Sequence, residues 1–221
     1  QLIDDHDAVI AGTENISSTA MDAGPNLKLI ARVGVGLDSV DLLGAKKRGI
    51  MVSYTPDAPA LAVCDLTMGL MFGASRHICL SNSRMHQSVW MRSQGRRLKE
   101  MTVGIVGVGR IGTLVLQDLL NFGVRKIFLN DIRPNSGINL PSQATWVSKE
   151  ELYSESELIT LHVPLDEDTK NMISTREISL MRRDAILINL SRGGVINEKD
   201  LYTALKSKRI LSAAIDVFEN E

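Results

Sequence analysis

The chain has 221 residues, 44% of them hydrophobic and 23% charged, with a formal charge of −1. That is a globular composition sized for one large or two smaller domains, and its balanced charge gives no basis for a nucleic-acid or anionic-membrane partner. No apolar run is expected to reach the ~20 residues that cross a bilayer, and the acidic opening "QLIDDHDAVI" has no leader pattern.

Short apolar runs and helical patterns alternate along the chain. Residues 7–11, 27–33 and 50–54 read as strands. A helix sits between the last two, starting at an Asp38–Ser39 cap and closing at Gly49. After "TPDAP", residues 60–90 carry apolar side chains at helical spacing (Leu61, Leu66, Leu70, Met71, Ile78). Cys64 and Cys79 fall in this segment and are expected to be reduced core thiols, not a disulfide or metal site; a cytoplasmic setting follows. A second series of strands is expected at 102–106, 126–130, 144–147, 157–163, 185–190 and 211–217, with a helix over 110–123. Strand–helix alternation with nearly continuous apolar strands predicts an α/β fold. Its main part is a doubly wound parallel sheet covered on both faces, preceded by a smaller, partial α/β domain. The join is placed at the prolines of 55–60, giving domains 1–57 and 58–221. The chain opens on Gln1 inside a folded pattern and stops at Glu221 just after a strand, so it is expected to be part of a longer protein.

Gly-Val-Gly follows a strand twice, in "RVGVGLDS" (32–39) and "IVGVGRIG" (105–112). Only the second copy has three glycines at dinucleotide spacing. Gly107 makes a tight turn, Gly109 lets backbone amides approach a pyrophosphate, and Gly112 lets the helix press on the sheet. The helix start adds unpaired N–H groups and partial positive charge. Asp131, 24 residues after Gly107 at the end of the next strand, can accept hydrogen bonds from ribose hydroxyls and disfavours a 2′-phosphate, so NAD is the expected cofactor; Arg133 reads as a solvated loop charge. In the first copy Ser39 replaces the third glycine. It is either a tight turn or a place where the amides of Val35 and Gly36 hold a small anion.

Open parallel sheets bind ligands at the carboxyl ends of their strands. His162, Arg192, Asp216 and Glu221 all stand there. Arg192 suits bidentate binding of a carboxylate and stabilisation of charge building on a carbonyl oxygen. Asp216 suits the nicotinamide carboxamide, and Glu221 suits an acid–base partner. Gly193 and Gly194 leave room for a ligand. His162 reads as a core histidine hydrogen-bonded to backbone, and His77 and His86 as surface or interface residues.

Together "GIVGVGRIG", Asp131, "LHVPL", "INLSRGGVINE" and "AAIDVFENE" resemble the D-isomer-specific 2-hydroxyacid dehydrogenases, most closely the phosphoglycerate dehydrogenase-like branch. The resemblance extends to "RVGVGLDSVDL" and "YTPDAPALAV". It implies a Rossmann NAD-binding domain, a substrate domain and an active site in the cleft. By the family pattern Arg192 and Glu221 are catalytic. Arg110, Ile111, Val163, Leu190, Ser191 and Asp216 join the glycines and Asp131 as cofactor contacts, while Val35 and Gly36 hold the substrate carboxylate alongside Arg192. A small 2-hydroxy or 2-oxo acid is the expected partner, with a homodimer embraced by the segment around 60–98 and Trp90 either an interface anchor or a core residue. Several features depart from the pattern, among them the expected absence of the first part of the substrate domain and "QSVW" in place of a Gly-containing turn before Trp90. "VCD" at 63–65 replaces a small residue and Glu. The family's catalytic histidine lies some twenty residues past the acid, so this chain alone is expected to bind NAD weakly and turn over little. A non-catalytic NAD(H)-sensing protein of the same fold, as in the C-terminal-binding corepressors, is the alternative; a methyltransferase would leave "LSRGG" and "DVFENE" without a role.

Overall fold

A computed structural model describes residues 3–133 and 140–220. The chain divides into two compact units, Gln1–Ala62 and Val63–Glu221, a division that falls inside a helix.

The first unit is a three-stranded parallel sheet in the order β1-β2-β3, with β1 at Ala8–Ala11, β2 at Leu29–Arg32 and β3 at Met51–Tyr54. Helix α1 (Ser18–Asp22) had no distinct sequence signal; Ser17 caps it by accepting from the Ala20 amide. Helix α2 (Leu42–Lys47) is capped by Asp41, whose Oδ1 accepts from the Gly44 amide at 2.8 Å. The expected cap at Asp38–Ser39 is therefore corrected: those residues form a turn leading into the bridge between Ile16 and Val40. Gly49 takes φ +68° just past the helix, as a left-handed terminator does. Ile16, Met21, Ile30 and Ala45 form the core.

Helix α3 (Ala58–Ser75) crosses the division. The 60–90 segment is not one helix. It breaks at His77, which takes φ +56°, and resumes as α4 (Ile78–His86). Against the expectation from sequence, α3 is long and apolar enough by length and composition to count as a candidate membrane span; Cys64 and Met71 place it in the core of the second unit. Helix α4 buries none of its residues, which is why Cys79 is exposed and not a core thiol. Cys64 is buried and donates to the Asp118 carboxylate at 3.2 Å; burial, then that neighbouring charge, pushes its thiol up to about 12.

The second unit holds six parallel strands: β4 (Thr102–Val106), β5 (Lys126–Asn130), β6 (Ala144–Trp146), β7 (Leu158–Leu161), β8 (Ile186–Asn189) and β9 (Ser212–Ile215). Their order is β6-β5-β4-β7-β8-β9, so the winding reverses between β4 and β7. The helices are α5 (Arg110–Phe122), α6 (Lys149–Glu155), α7 (Thr175–Leu180) and α8 (Glu198–Lys206). Alternate strand residues feed two cores, Leu158 joining Ile105, Val115 and Leu119 on one face, and Ile159 joining Leu152, Ile178 and Leu201 on the other. All four residues of β7 and of β8 are buried, the mark of a sheet clad on both sides.

The register fixes where the chemistry sits. Asn130, Val106, Leu161, Asn189 and Ile215 are paired across five strands in one row. One residue further along each strand stand Asp131, Gly107, His162, Leu190 and Asp216. The row continues into the turns: the amides of Gly107, His162 and Asp216 donate to Asn130, Val106 and Asn189 at 2.8, 2.7 and 3.0 Å.

Candidate cofactor and substrate site

The switch point between β4 and β7 is where a doubly wound sheet opens a crevice. Gly107 takes φ +90°, and a Cβ on it would lie 2.4 Å from the His162 carbonyl oxygen. A Cβ on Gly112 would lie 2.0 Å from the Gly107 carbonyl oxygen. Both are contacts that no side chain survives, so these two glycines serve the turn and the packing of α5 on the sheet. Gly109 is different. It is the N-cap of α5, no side chain caps that turn, and a Cβ there would meet nothing within 4 Å. The helix start beside Gly109 is thus neither filled nor capped by a side chain, which is the arrangement that a pyrophosphate requires. Val163 borders the same turn, its Cγ1 3.0 Å from the position of a Gly107 Cβ.

Asp131 does more than the motif predicts. Its Oδ2 accepts from the Val108 amide at 2.7 Å and its Oδ1 from the Arg133 amide at 2.9 Å. The carboxylate braces the glycine turn from the neighbouring strand. Each oxygen keeps lone-pair capacity for a ribose hydroxyl.

Leu190 is 7% exposed and packs into the core, so only its backbone reaches the sheet edge. Ser191 is turned inward, its hydroxyl on Asn189 Oδ1 at 2.7 Å. Arg192 is partly buried, with Nη1 donating to the Ser191 carbonyl at 2.7 Å. Asp216 is exposed at the end of β9. Glu221 lies outside the described residues. Gly193 does not leave room for a ligand: a Cβ there would stand 1.8 Å from the Phe218 carbonyl oxygen, so the space belongs to the chain itself. Gly194, at φ +79°, is buried, and a Cβ there would touch the Leu165 side chain at 3.7 Å, so neither glycine opens ligand space.

His162 is held by a side chain, not by backbone as expected. Its Nε2 lies 3.0 Å from the buried Thr160 hydroxyl, and burial pulls its pKa down to about 4. At neutral pH the ring is uncharged and a weak base. Trp90 is 81% exposed, which removes the core reading. In the first unit, Val35 and Gly36 follow β2 in an irregular turn, and neither amide hydrogen-bonds to another described residue. Among the described residues no three His, Cys, Asp or Glu side chains gather to hold a metal ion.

Residues 68–221 match the family model for the NAD-binding domain of D-isomer specific 2-hydroxyacid dehydrogenases. The hydroxypyruvate reductase of Thermotoga maritima is 37% identical over 215 residues, covering 96% of this chain and 69% of that protein. The D-3-phosphoglycerate dehydrogenase of Methanocaldococcus jannaschii is also 37% identical, over 230 residues that cover all of this chain and 43% of that one. Among solved structures, the D-lactate dehydrogenase of Aquifex aeolicus, complexed with NAD and lactic acid, superposes with a TM-score of 0.88 at 28% identity, over 99% of this chain and 66% of that one.

Proposed function

The chain belongs to the D-isomer-specific 2-hydroxyacid dehydrogenases, its second unit being their NAD-binding domain, and we propose that it serves the reversible, NAD-dependent reduction of a 2-oxo acid to a D-2-hydroxy acid. The observation that carries this reading is the shared row. The glycine turn, its bracing Asp131, the Arg192 turn and Asp216 are all delivered to one edge of one sheet by strand register.

A nicotinamide cofactor, when bound, would supply or take up the hydride exchanged with the substrate's C2. The chain's own residues do the rest. The amides at the start of α5, in the turn that Gly107, Gly109 and Gly112 make possible, would seat the diphosphate, Asp131 would take the adenosine ribose, and Asp216 with the backbone of Val163, Leu190 and Ser191 would orient the other end. Arg192 holds the carboxylate and carbonyl oxygen of the acid in two parallel hydrogen bonds and stabilises the negative charge that grows on that oxygen. Val35 and Gly36 offer amides of carboxylate-binding type. Glu221 supports the proton-carrying group, which in this family is a histidine some twenty residues further on. General acid–base help of this kind is worth roughly 10²–10⁴-fold in rate. The phosphoglycerate dehydrogenase-like branch is our reading of the motifs; a hydroxypyruvate reductase is equally similar in sequence. A homodimer is supported by the exposed apolar side chains Leu61, Leu66, Ile78, Met85 and Trp90 along α3, α4 and the segment after them. Two free cysteines accord with a cytoplasmic setting.

A non-catalytic NAD(H) sensor keeps one observation in its favour, the exposed Ile10 (79%) and Met51 (66%) on the sheet of the first unit. Steady-state oxidation of NADH at 340 nm, with glyoxylate, hydroxypyruvate and 2-oxoglutarate offered to the full-length protein, separates the two. Turnover of one of them is expected. Tight NADH binding with no turnover of any would favour the sensor.

A further inference from the structure

Asn189 is the last residue of β8 and is 2% exposed. Both ends of its side-chain amide are engaged. Oδ1 accepts from the Ser191 amide at 3.0 Å and from the Ser191 hydroxyl at 2.7 Å, while Nδ2 donates to the Arg192 carbonyl at 2.9 Å. Its own carbonyl accepts from the Asp216 amide at 3.0 Å. One side chain thus dictates the backbone of the turn that carries Arg192, and the same residue fixes where β9 ends. The turn has no slack on its other side either. Phe218 passes against Gly193, and Glu198 Oε1 accepts from the Glu219 amide at 2.6 Å.

Only an amide satisfies this pattern. The turn presents one carbonyl and two donors, so its clamp must donate at one end and accept at the other. An aspartate is isosteric, keeps both Ser191 bonds, and sets an anionic oxygen against the Arg192 carbonyl. A guanidinium that must meet a carboxylate bidentately tolerates little angular error. We infer that Asn189 is a positioning residue for Arg192: it holds the turn so that the guanidinium meets the 2-oxo acid in a productive geometry. The inference rests on the reading of Arg192 as the substrate-binding cation.

The test is a double-mutant cycle in the full-length protein with Asn189→Asp, Arg192→Ala and the pair, each measured for kcat and KM on the 2-oxo acid reduced fastest. NADH affinity by fluorescence and melting temperature are read in parallel. Asn189→Asp is expected to lower kcat/KM by roughly 10–100-fold while NADH affinity stays within about 3-fold, because the glycine turn is built on other strands. In the Arg192→Ala background the same change is expected to cost less than about 2-fold, since residues acting through one another are non-additive. An equal loss in both backgrounds, or no loss in the unaltered one, overturns the inference. Should Arg192→Ala itself leave kcat/KM unchanged, it is the reading of Arg192 that fails. Asn189→Ala, which removes both ends of the amide without adding a charge, carries the same cycle if the aspartate variant does not fold.

Discussion

Gly109 and Gly112 stand three residues apart in one motif, yet alanine at the two positions acts by different means. At Gly112 the new methyl would sit 2.0 Å from the Gly107 carbonyl oxygen. Ordinary contact begins near 3.4 Å, so the start of α5 must retreat by more than ~1 Å, and the obstacle is backbone that no rotamer change can move aside. Overpacking of this kind falls at the upper end of its range, about 3 kcal/mol. For a domain of this size that lowers the melting temperature by roughly 6–12 °C. NADH affinity falls with it, by about 10²-fold for a 1 Å misplacement of the amides. At Gly109 the methyl meets nothing within 4 Å and φ is −78°, which alanine adopts readily. The helix loses only a good N-cap residue, at most about 1 kcal/mol, so melting drops by no more than about 4 °C. The methyl nonetheless occupies the space assigned to the diphosphate, and NADH affinity is expected to fall at least 10-fold. Thermal denaturation and NADH fluorescence titration on both variants decide the matter. If Gly109→Ala binds NADH as tightly as the unaltered chain, the cofactor does not rest on the start of α5.

Asp131→Ala removes the acceptor of the Val108 amide and the proposed ribose acceptor together. NADH should bind at least 10-fold more weakly, and the preference for NADH over NADPH in kcat/KM should shrink by a similar factor; an unchanged preference refutes the ribose assignment. His162 is held neutral, with its pKa lowered by burial to about 4 against an unfolded value of about 6.5. The unfolded chain therefore binds the extra proton first as pH falls. Stability from this group is complete above pH ~6.5 and is lost on the way down to pH ~4, at up to about 1.4 kcal/mol per pH unit. His162→Gln should flatten the fall in melting temperature between pH 7 and 4.5, and an undiminished slope would show that other groups govern it. Arg96 bridges Glu157, which also receives the Thr102 amide at 2.7 Å, and Asp184, at 3.1 Å. Its replacement by Ala leaves the part-buried Glu157 without its cation and Asp184 with Arg182 alone, 2.9 Å away. The expected cost is about 2–3 kcal/mol, below that of a fully buried pair, seen as a lower urea midpoint with NADH affinity retained; loss of NADH binding in a still-folded variant would contradict it.

Strands were legible because a parallel sheet clad on both faces forces unbroken apolar runs, and β4, β5 and β8 read directly as "TVGIV", "KIFLN" and "ILIN". What escaped was decided by geometry without a compositional mark. The break at His77 has neither glycine nor proline to announce it. Asp38 and Asp41 are both plausible caps in sequence, and only the pairing of Val40 with Ile16 selects the second. Gly193 and Gly194 look alike in "SRGG", but one yields to the Phe218 backbone and the other takes a positive φ beside Leu165. Asn189 was hidden by its place at the end of an apolar run, although an asparagine two residues before a serine in a turn is a recognisable side-chain-to-backbone signature.

The row at the sheet edge explains why a site spread over some 110 residues of chain can be specified by short local motifs. Parallel pairing repeats with a period of two, so a slip of one residue in β9 would turn Asp216 to the opposite face. β9 packs Ala214 against one core and Ala213 and Ile215 against the other, so such a slip would also exchange these contacts, and the register is held by the hydrophobic pattern. Precision at the edge is therefore supplied by the fold, and the turns need only convert strand ends into ligand-facing atoms. Glycine does this at β4 by giving up its side chain. At β5 Asp131 does it by reaching back to the Val108 amide. At β8 Asn189 does it by substituting its own amide for the missing next strand partner of the turn. Three strands end in three different chemistries because each end must aim a different group: backbone amides, a carboxylate and a guanidinium.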